Sequence, residues 1–411
     1  MRLRIKDFAT KVGSGVTPKG GASVYQDNGI PLFRSQNVTN DGFLLDDIAY
    51  ISEEIHKSMI GTRLMPNDVL LNITGASIGR CYYLPKKFKE GNVNQHVCII
   101  RPKGNVLPAF LYYNLISAKG QHMIDLCQTG ANREGVTKEN ICNFEFDIPP
   151  LETQQRMVTY LDTRLSEIGH QVSLLTSKRD AYLRLKKSII NHVVTRGLNP
   201  NVKMKDSGIE WIGEVPEHWE VKRLKNVVEC NAKSLGENTP KDSIIKYVEI
   251  SDVDHVHGIN NIQSLMFGEA PSRARRITQK GDIIISTVRT YLKAIAKIED
   301  DDIIVSTGFA VLHPTKCNGE YLAYYILSES FINKVEMLSK GTSYPAINAS
   351  DLVSINVLIP PLPEQHAIAT YLDDKCAKID TIVSNLNKQI SRYADLKRSL
   401  IDEVITGKRA V

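Results

Sequence analysis

Two stretches of the chain keep apolar side chains at alternating spacings of four and three. In the first, Leu161, Leu165, Ile168, Val172, Leu175 and Tyr182 hold the register, with Arg179 the one polar intrusion. In the second, Leu372, Cys376, Ile379, Val383, Leu386, Ile390 and Tyr393 hold it without interruption. This spacing keeps one stripe on one helix face and favours knobs-into-holes pairing. Each stretch follows a double proline, Pro149-Pro150 or Pro360-Pro361, and the first stops at Gly197 ahead of Asn199-Pro200, which is the punctuation expected at helix ends. About 40 helical residues predict a rod of ~60 Å. Two equally long stripes are the simplest partners for each other, so the spacing predicts an antiparallel pair; packing of each helix on its own globular part is the alternative.

Elsewhere the pattern is mixed. Short β-rich runs fall at Pro31–Arg34, Val69–Ile73, His96–Ile100, Ile244–Ile250, Ile283–Ser286 and Ile303–Val305, and helix-like stretches at Ala109–Asp125 and Glu320–Leu338. The order repeats. Residues 148–195 align with 359–406 without a gap at an offset of 211, with 20 identities in 48 positions. A domain-sized period means duplication rather than a solenoid. The predicted fold class is α+β: two globular mixed α/β domains separated by a long antiparallel two-helix coiled coil, with a pseudo-twofold internal repeat. The predicted boundaries are 1–147 for the first globular domain, 148–197 for the first long helix, 198–220 for a connector, 221–358 for the second globular domain and 359–411 for the second long helix.

At 411 residues, 24% charged and 42% hydrophobic, the chain has material for two or three domains. No run approaches the ~20 apolar residues of a membrane span, and the N-terminus has no apolar signal-peptide core. The expected location is the cytoplasm. Seven cysteines without a CxxC pair indicate buried reduced thiols rather than zinc or disulfides. The net charge of +5 permits nucleic-acid binding without announcing it. By segment the balance is +3 for 1–147, +4 for 148–200, −3 for 201–358 and +1 for 359–411. Bulk charge is therefore not the basis of any DNA binding, whereas local basic loops could be.

Catalytic patterns are missing. The two Ile-Pro-Pro-Leu runs at Ile148 and Ile359 superficially resemble an amino-methyltransferase loop, but they lack the polar residue that accepts from the target amine and the aromatic that stacks on the base. No GxGxxG follows a strand and no P-loop is present, so no nucleotide or S-adenosylmethionine cradle is legible. His255 and His257 lack a third ligand at recognisable spacing, Asp300-Asp301-Asp302 reads as a solvated turn, and Thr74–Gly79 reads equally as a phosphate loop or a turn.

Loops suited to base recognition recur in both halves. Arg34, Ser35, Gln36 and Asn37 follow a strand; Thr74, Ser77 and Arg80 sit in the glycine-rich turn; Asn94, Gln95 and His96 and the pair Asn132 and Arg133 repeat the chemistry. In the second half Arg273, Arg275 and Arg276 cluster, Arg289 and Lys293 flank Tyr291, and Ser343 and Tyr344 match Asn132 and Arg133. Amide, hydroxyl and guanidinium groups are the ones that match base edges. A solvated polar loop explains any one of them; recurrence at equivalent places singles out the set. The helix-pairing set is Leu161, Leu165, Ile168, Val172 and Leu175 against Leu372, Ile379, Val383, Leu386 and Ile390.

These features together resemble the DNA-specificity subunit of type I restriction–modification systems. The resemblance rests on Lys205–Glu220 (KDSGIEWIGEVPEHWE), Ile359–Gln365 (IPPLPEQ), Leu396–Lys408 (LKRSLIDEVITGK), the strand-turn segments Asn67–Gly79 and Gly281–Ser286, and the two-copy layout. One departure is Glu152-Thr153, where the second copy has Pro363-Glu364. The resemblance implies that each globular domain is a target-recognition domain reading half of a bipartite double-stranded DNA target. The helices would set the spacing and dock two modification subunits, which bring S-adenosylmethionine and methylate adenine N6. Restriction subunits with ATP and Mg would complete the complex, and this chain would carry no cofactor or catalytic residue. A DNA-binding adaptor outside restriction, and a coiled-coil scaffold with no sequence-dependent DNA affinity, stand as alternatives.

Overall fold

The computed structural model describes residues 1–128, 135–255, 257–341 and 343–411. The chain forms two compact units, Met1–Thr176 with Lys388–Val411, and Ser177–Asn387. The boundaries cut through both long helices, Leu151–Arg196 and Leu362–Ile405, so each unit takes the start of one helix and the end of the other.

Each unit centres on a four-stranded antiparallel sheet of the same order. In the first the order is Ala9–Ser14, Val97–Pro102, Val69–Asn72, Cys81–Tyr83; in the second it is Val228–Cys230, Phe309–Pro314, Ile283–Ser286, Ile295–Lys297. The central strands are continuous apolar runs because both faces are covered. Val69 and Leu71 enter the core shared with helices, while Leu70 joins Phe33 and Val38 on the other face. Ile283 and Ile285 are divided from Ile284 in the same way. The period of two sorts alternate side chains to opposite faces. A second, mixed sheet holds Ile30–Phe33 among three strands in the first unit and Ile244–Val248 among four in the second.

The helix-like stretches predicted as single helices are each two. Pro108–Ile116 and Ala118–Leu126 break at Ser117; Gly319–Ile326 and Glu329–Leu338 break at Ser328. The Ser117 hydroxyl accepts from the Gly120 amide at 3.2 Å and donates to the Asn114 carbonyl at 2.7 Å. Ser328 does the same with Phe331 and Tyr325. A serine cap of this kind contributes ~1 kcal/mol, and it restarts the helix in a new direction.

In the first unit, Val158, Leu161 and Ile168 share a core with Leu400, Ile401, Val404 and Ile405, with Leu165, Val172 and Tyr393 packed against it. In the second, Ile190, Val193 and Val194 share a core with Ile368, Leu372 and Cys376, and Lys186 pairs with Asp380 at 2.7 Å. Rising numbers on one helix meet falling numbers on the other, an antiparallel pairing within each unit. Leu175 and Val383 are half-buried, as is Ile390, and Ile379 and Leu386 are buried. Gly197, at φ +76°, ends the first helix in the left-handed conformation that satisfies its last carbonyls.

A glutamine at each helix start fastens it to its globular part. Gln154, fully buried, accepts from the Leu107 amide at 2.9 Å and donates to the Asn105 and Pro149 carbonyls. Gln365 accepts from the Asn318 amide and donates to the Pro360 carbonyl, each at 2.7 Å. The 198–220 segment is a folded part of the second unit: Met204–Asp206 pairs with Glu214–Pro216, Trp219 is fully buried, and His218 meets Glu364 at 2.7 Å. Among the described residues no helix is long and apolar enough to cross a membrane.

Candidate nucleic-acid interface

One loop frame occurs in both units. After Val69–Asn72 the chain makes a 3-10 turn at Gly75–Ser77, and after Ile283–Ser286 it makes one at Thr290–Leu292. Thr74 bridges to Gly135, and Val288 bridges to Ala346. Left-handed residues mark each turn: Gly75 (φ +72°), which opens it, and Gly79 (φ +84°), just beyond it, in the first unit, and the flanking Arg289 (φ +50°) and Lys293 (φ +51°) in the second. Glycine adopts this conformation freely; at Gly79 an added Cβ would also lie 2.5 Å from the Gln121 side-chain oxygen. Arginine and lysine there cost on the order of 1–2 kcal/mol each, a strain of the kind that concentrates at functional loops.

In the first unit the frame gathers Thr74, Gln95 and His96. The Thr74 hydroxyl lies 2.5 Å from His96 Nδ1, Gln95 Nε2 lies 3.1 Å from His96 Nε2, and Thr17 bonds the Gln95 side-chain oxygen. Ser77 is half-buried. Arg80 is exposed, and its guanidinium has no hydrogen bond or ion pair among the described residues. The turn Ser35–Asn37 abuts this group, because the buried Asn72 amide donates to the Ser35 carbonyl at 2.7 Å.

That turn departs from expectation. Asn37 is buried, accepts from the Arg34 amide and donates to the Leu44 and Asp47 carbonyls. Arg34 donates to the Asp47 carbonyl at 2.6 Å, pairs with its carboxylate at 3.2 Å and lies over Tyr25. Ser35 is half-buried; Gln36 is exposed and bonds the Asp47 carboxylate. Asn94 is likewise buried, its side-chain oxygen accepting from the His96 amide. Asn37 and Asn94 are therefore loop-holding side chains rather than presented ones, since a tight turn must satisfy its own backbone groups first. Asn132 and Arg133 lie outside the described residues.

In the second unit the guanidinium of Arg289 stacks over Tyr344, 5.1 Å from the ring centre. Tyr344 is 67% and Tyr291 52% exposed, and Ser343 is exposed. Lys293 pairs with Glu336 at 3.4 Å. The expected arginine cluster divides. Arg273 is exposed and bonds Glu249; Arg275 lies over Phe267 at 4.8 Å and donates to the Ser272 carbonyl; Arg276 is a half-buried residue of the strand Ala274–Ile277. Arg275 is the extra residue of a bulge between Ala274 and Arg276 and is held by Phe267 and the Ser272 carbonyl, so the three arginines have separate surroundings. Arg34, Arg273 and Lys293 carry a carboxylate partner; among the described residues Arg80, Arg275, Arg276 and Arg289 do not, and of these four Arg80 and Arg289 are the exposed ones. Among the described residues no group of three or more His, Cys, Asp or Glu is placed to hold a metal ion.

The family model for the type I restriction modification DNA specificity domain matches residues 1–173 and 216–392. The chain belongs to this family. It is similar to the putative type I restriction enzyme MjaX specificity subunit of Methanocaldococcus jannaschii, at 24% identity over 98% of this chain and 92% of that one. It is also similar to the EcoKI specificity subunit of Escherichia coli, at 22% identity over 96% of this chain and 86% of that one. Among solved structures, a chain from work on complex assembly and conformational transition of the type I R-M system matches with a TM-score of 0.73 and 17% identity, covering 98% of this chain and 97% of its own. The HsdS subunit from Thermoanaerobacter tengcongensis matches with a TM-score of 0.51 and 16% identity, covering 100% of this chain and 97% of its own. At these identities the structural matches establish the fold.

In this specificity-domain chain, three features escaped the sequence reading. The loop frames look unrelated in sequence, because Gly75 and Gly79 correspond to an arginine and a lysine; only the strand register aligns them. Thr17, which joins the Thr74–His96 group, sits in a loop with no periodic signal. The offset of 211 could have exposed the Gln154/Gln365 pair, since both glutamines stand at the same place in the repeat.

Proposed function

We propose that this chain is the DNA-reading, non-catalytic subunit of a type I restriction–modification complex, in which each unit reads one half of a bipartite, asymmetric target. The observation that carries the reading is one loop frame built twice and dressed with different side chains: Thr74, Gln95, His96 and Arg80 in one unit, Arg289, Tyr291, Ser343 and Tyr344 in the other. A duplicated frame supports similar docking on two half-sites; unlike side chains support unlike sequences. Arg80 and Arg289 are the leading base or phosphate contacts, with Gln36, Ser77 and Arg273 beside them. Asn132 and Arg133 adjoin Gly135 in sequence and belong to the same proposal.

The long helices set the spacing between half-sites and dock two modification subunits, which supply S-adenosylmethionine and methylate adenine N6. Restriction subunits supply ATP- and Mg-dependent chemistry, and the assembly works on cytoplasmic DNA. Methylome sequencing of the host with and without this gene tests the reading: a split adenine motif should vanish on deletion. Retention of every methylated motif would refute it. Methyl transfer by the purified chain alone, given DNA and labelled S-adenosylmethionine, would refute the non-catalytic assignment.

A further inference from the structure

The two units differ most beside the outer strand of the four-stranded sheet. In the first unit that strand carries Tyr82 and Tyr83, the helix Pro108–Ile116 carries Tyr112 and Tyr113, and Phe43 comes from a short hairpin. The rings pack as one body: Phe43–Tyr82 at 5.3 Å, Tyr82–Tyr83 at 5.1 Å, Tyr82–Tyr112 at 5.2 Å and Tyr112–Tyr113 at 4.8 Å between centres. Two ties close the place. The Tyr112 hydroxyl donates to the Asn40 carbonyl at 2.5 Å, and Lys397 of the long helix pairs with Asp41.

Strand register identifies the counterparts. Tyr82 lies opposite Leu70 as Ala296 lies opposite Ile284, and Tyr83 opposite Val69 as Lys297 opposite Ile283. Tyr113 donates to Asp162 as Tyr324 donates to Asp373, so Tyr112 corresponds to Ala323. Phe43 pairs with Val38 as Ile259 pairs with Val253. The second unit therefore lacks four of the five rings. It also lacks the helix tie: Lys186, the counterpart of Lys397, turns to Asp380 on the facing helix.

What remains is a cleft of about 940 Å³ within the second unit, walled by Ile259, Ile295, Ala296 and Leu327, with Tyr324 and His255 as polar points. That volume lies in the range of small-molecule sites, ~300–1,000 Å³. Its charges are mostly spent in pairs: Lys297 with Glu320 and Glu299, Lys186 with Asp380. Asp300 and Glu329 also line it beside Lys187 and Lys293, so the lining favours a neutral ligand over an anion. Burial, with Lys187 and Lys293 adding to it, pushes the His255 imidazole below its ordinary range, leaving a neutral ring able to donate from one nitrogen and accept at the other.

We propose that this cleft binds a small, uncharged, planar aromatic molecule, seated where the first unit carries the rings of Tyr82 and Phe43, whose counterparts Ala296 and Ile259 line it. The repeat itself supplies the argument, because the same frame closes around aromatic rings when the chain provides them. The cleft meets the DNA-reading loop only at Lys293, which ends the Thr290–Leu292 turn, and its test reads small-molecule binding without DNA, so it fails or stands apart from the DNA reading.

The test uses the full chain and two probes, p-cresol (the tyrosine side chain) and indole. Saturation-transfer NMR and thermal melts compare the wild type with Ala296→Tyr, which restores the ring of Tyr82, and with Ile259→Phe, which restores that of Phe43. The expected result is probe binding and a dose-dependent rise in melting temperature for the wild type. The filled variants should lose at least ~10-fold in affinity, about 1.4 kcal/mol. No signal from either probe in the wild type, or equal signals in all three chains, overturns the proposal. So does a wild type that ignores both probes while the filled variants lose a co-purifying protein, which would assign the cleft to a partner's side chain.

Discussion

Replacing Arg289 with glycine separates the folding role of this residue from its role toward DNA. Arg289 occupies φ +50°, ψ +51°, where glycine relieves ~1–2 kcal/mol of backbone strain. Against that gain stand the greater freedom of glycine in the unfolded chain, ~0.5–1 kcal/mol, and the lost stacking on Tyr344, ~0.5–1 kcal/mol at an exposed site. The terms nearly cancel, so stability should change by less than ~1 kcal/mol. DNA binding has no such compensation. A well-placed arginine contact is worth ~1–3 kcal/mol, which predicts roughly 5- to 150-fold weaker binding to the target duplex. If the contact is to phosphate, the salt dependence should also flatten by ~0.9 in log–log slope. Fluorescence anisotropy between about 50 and about 200 mM salt and urea unfolding measure the two quantities. Unchanged affinity and slope in a folded variant would refute the assignment of Arg289 to the interface; a stability loss above ~2 kcal/mol would mark the residue as structural.

Gln154→Leu leaves the Leu107 amide and the Asn105 and Pro149 carbonyls without their side-chain partner, and should cost ~2–5 kcal/mol in urea unfolding. Gln365→Leu strips two such bonds and should cost less. Asn37→Ala should lose ~1–3 kcal/mol of stability by the same measurement, whereas Gln36→Ala should stay within ~0.5 kcal/mol while weakening DNA binding. Ile379→Asp and Leu386→Asp, at 6% and 4% exposed positions, should each cost ~3 kcal/mol or more in thermal melts followed by circular dichroism. Burial pushes the Cys98 thiol up to about 12 and raises that of Cys81 as well, so neither should react with a disulfide reagent at pH 8 until the chain unfolds. Unfolded thiols ionise near pH ~8.5. The stability these two thiols contribute is therefore complete below that pH and is lost as pH rises toward about 12, which denaturation at stepped pH would follow.

The polar loops mark where sequence reading stopped. Arg34 and Asn37 have the side chains of base readers, yet the structure spends them on Asp47 and on the turn itself. Arg273, Arg275 and Arg276 are a cluster in sequence and three separate environments in space. A polar side chain serves a turn, a carboxylate or a ligand with the same atoms, and only its neighbours decide which. The single helix read over 109–125 failed for a related reason: Ser117 is compatible with a helix interior, and its capping bond to Gly120 becomes decisive only when the following helix packs elsewhere.

What the sequence determined by itself was whatever is periodic or repeated: the two long helices with their seams, the apolar central strands, the duplication and the family. Periodicity carries this information because burial acts on every third, fourth or second residue whatever lies opposite. Tertiary structure alone decided which residues of distant segments meet. It aligned Gly75 with Arg289 and Gly79 with Lys293 through strand register, buried Gln154 and Gln365 at the helix starts, and replaced a packed group of rings in one unit by a cleft in the other. Such matters depend on contacts between residues far apart in the chain, and no local pattern encodes them.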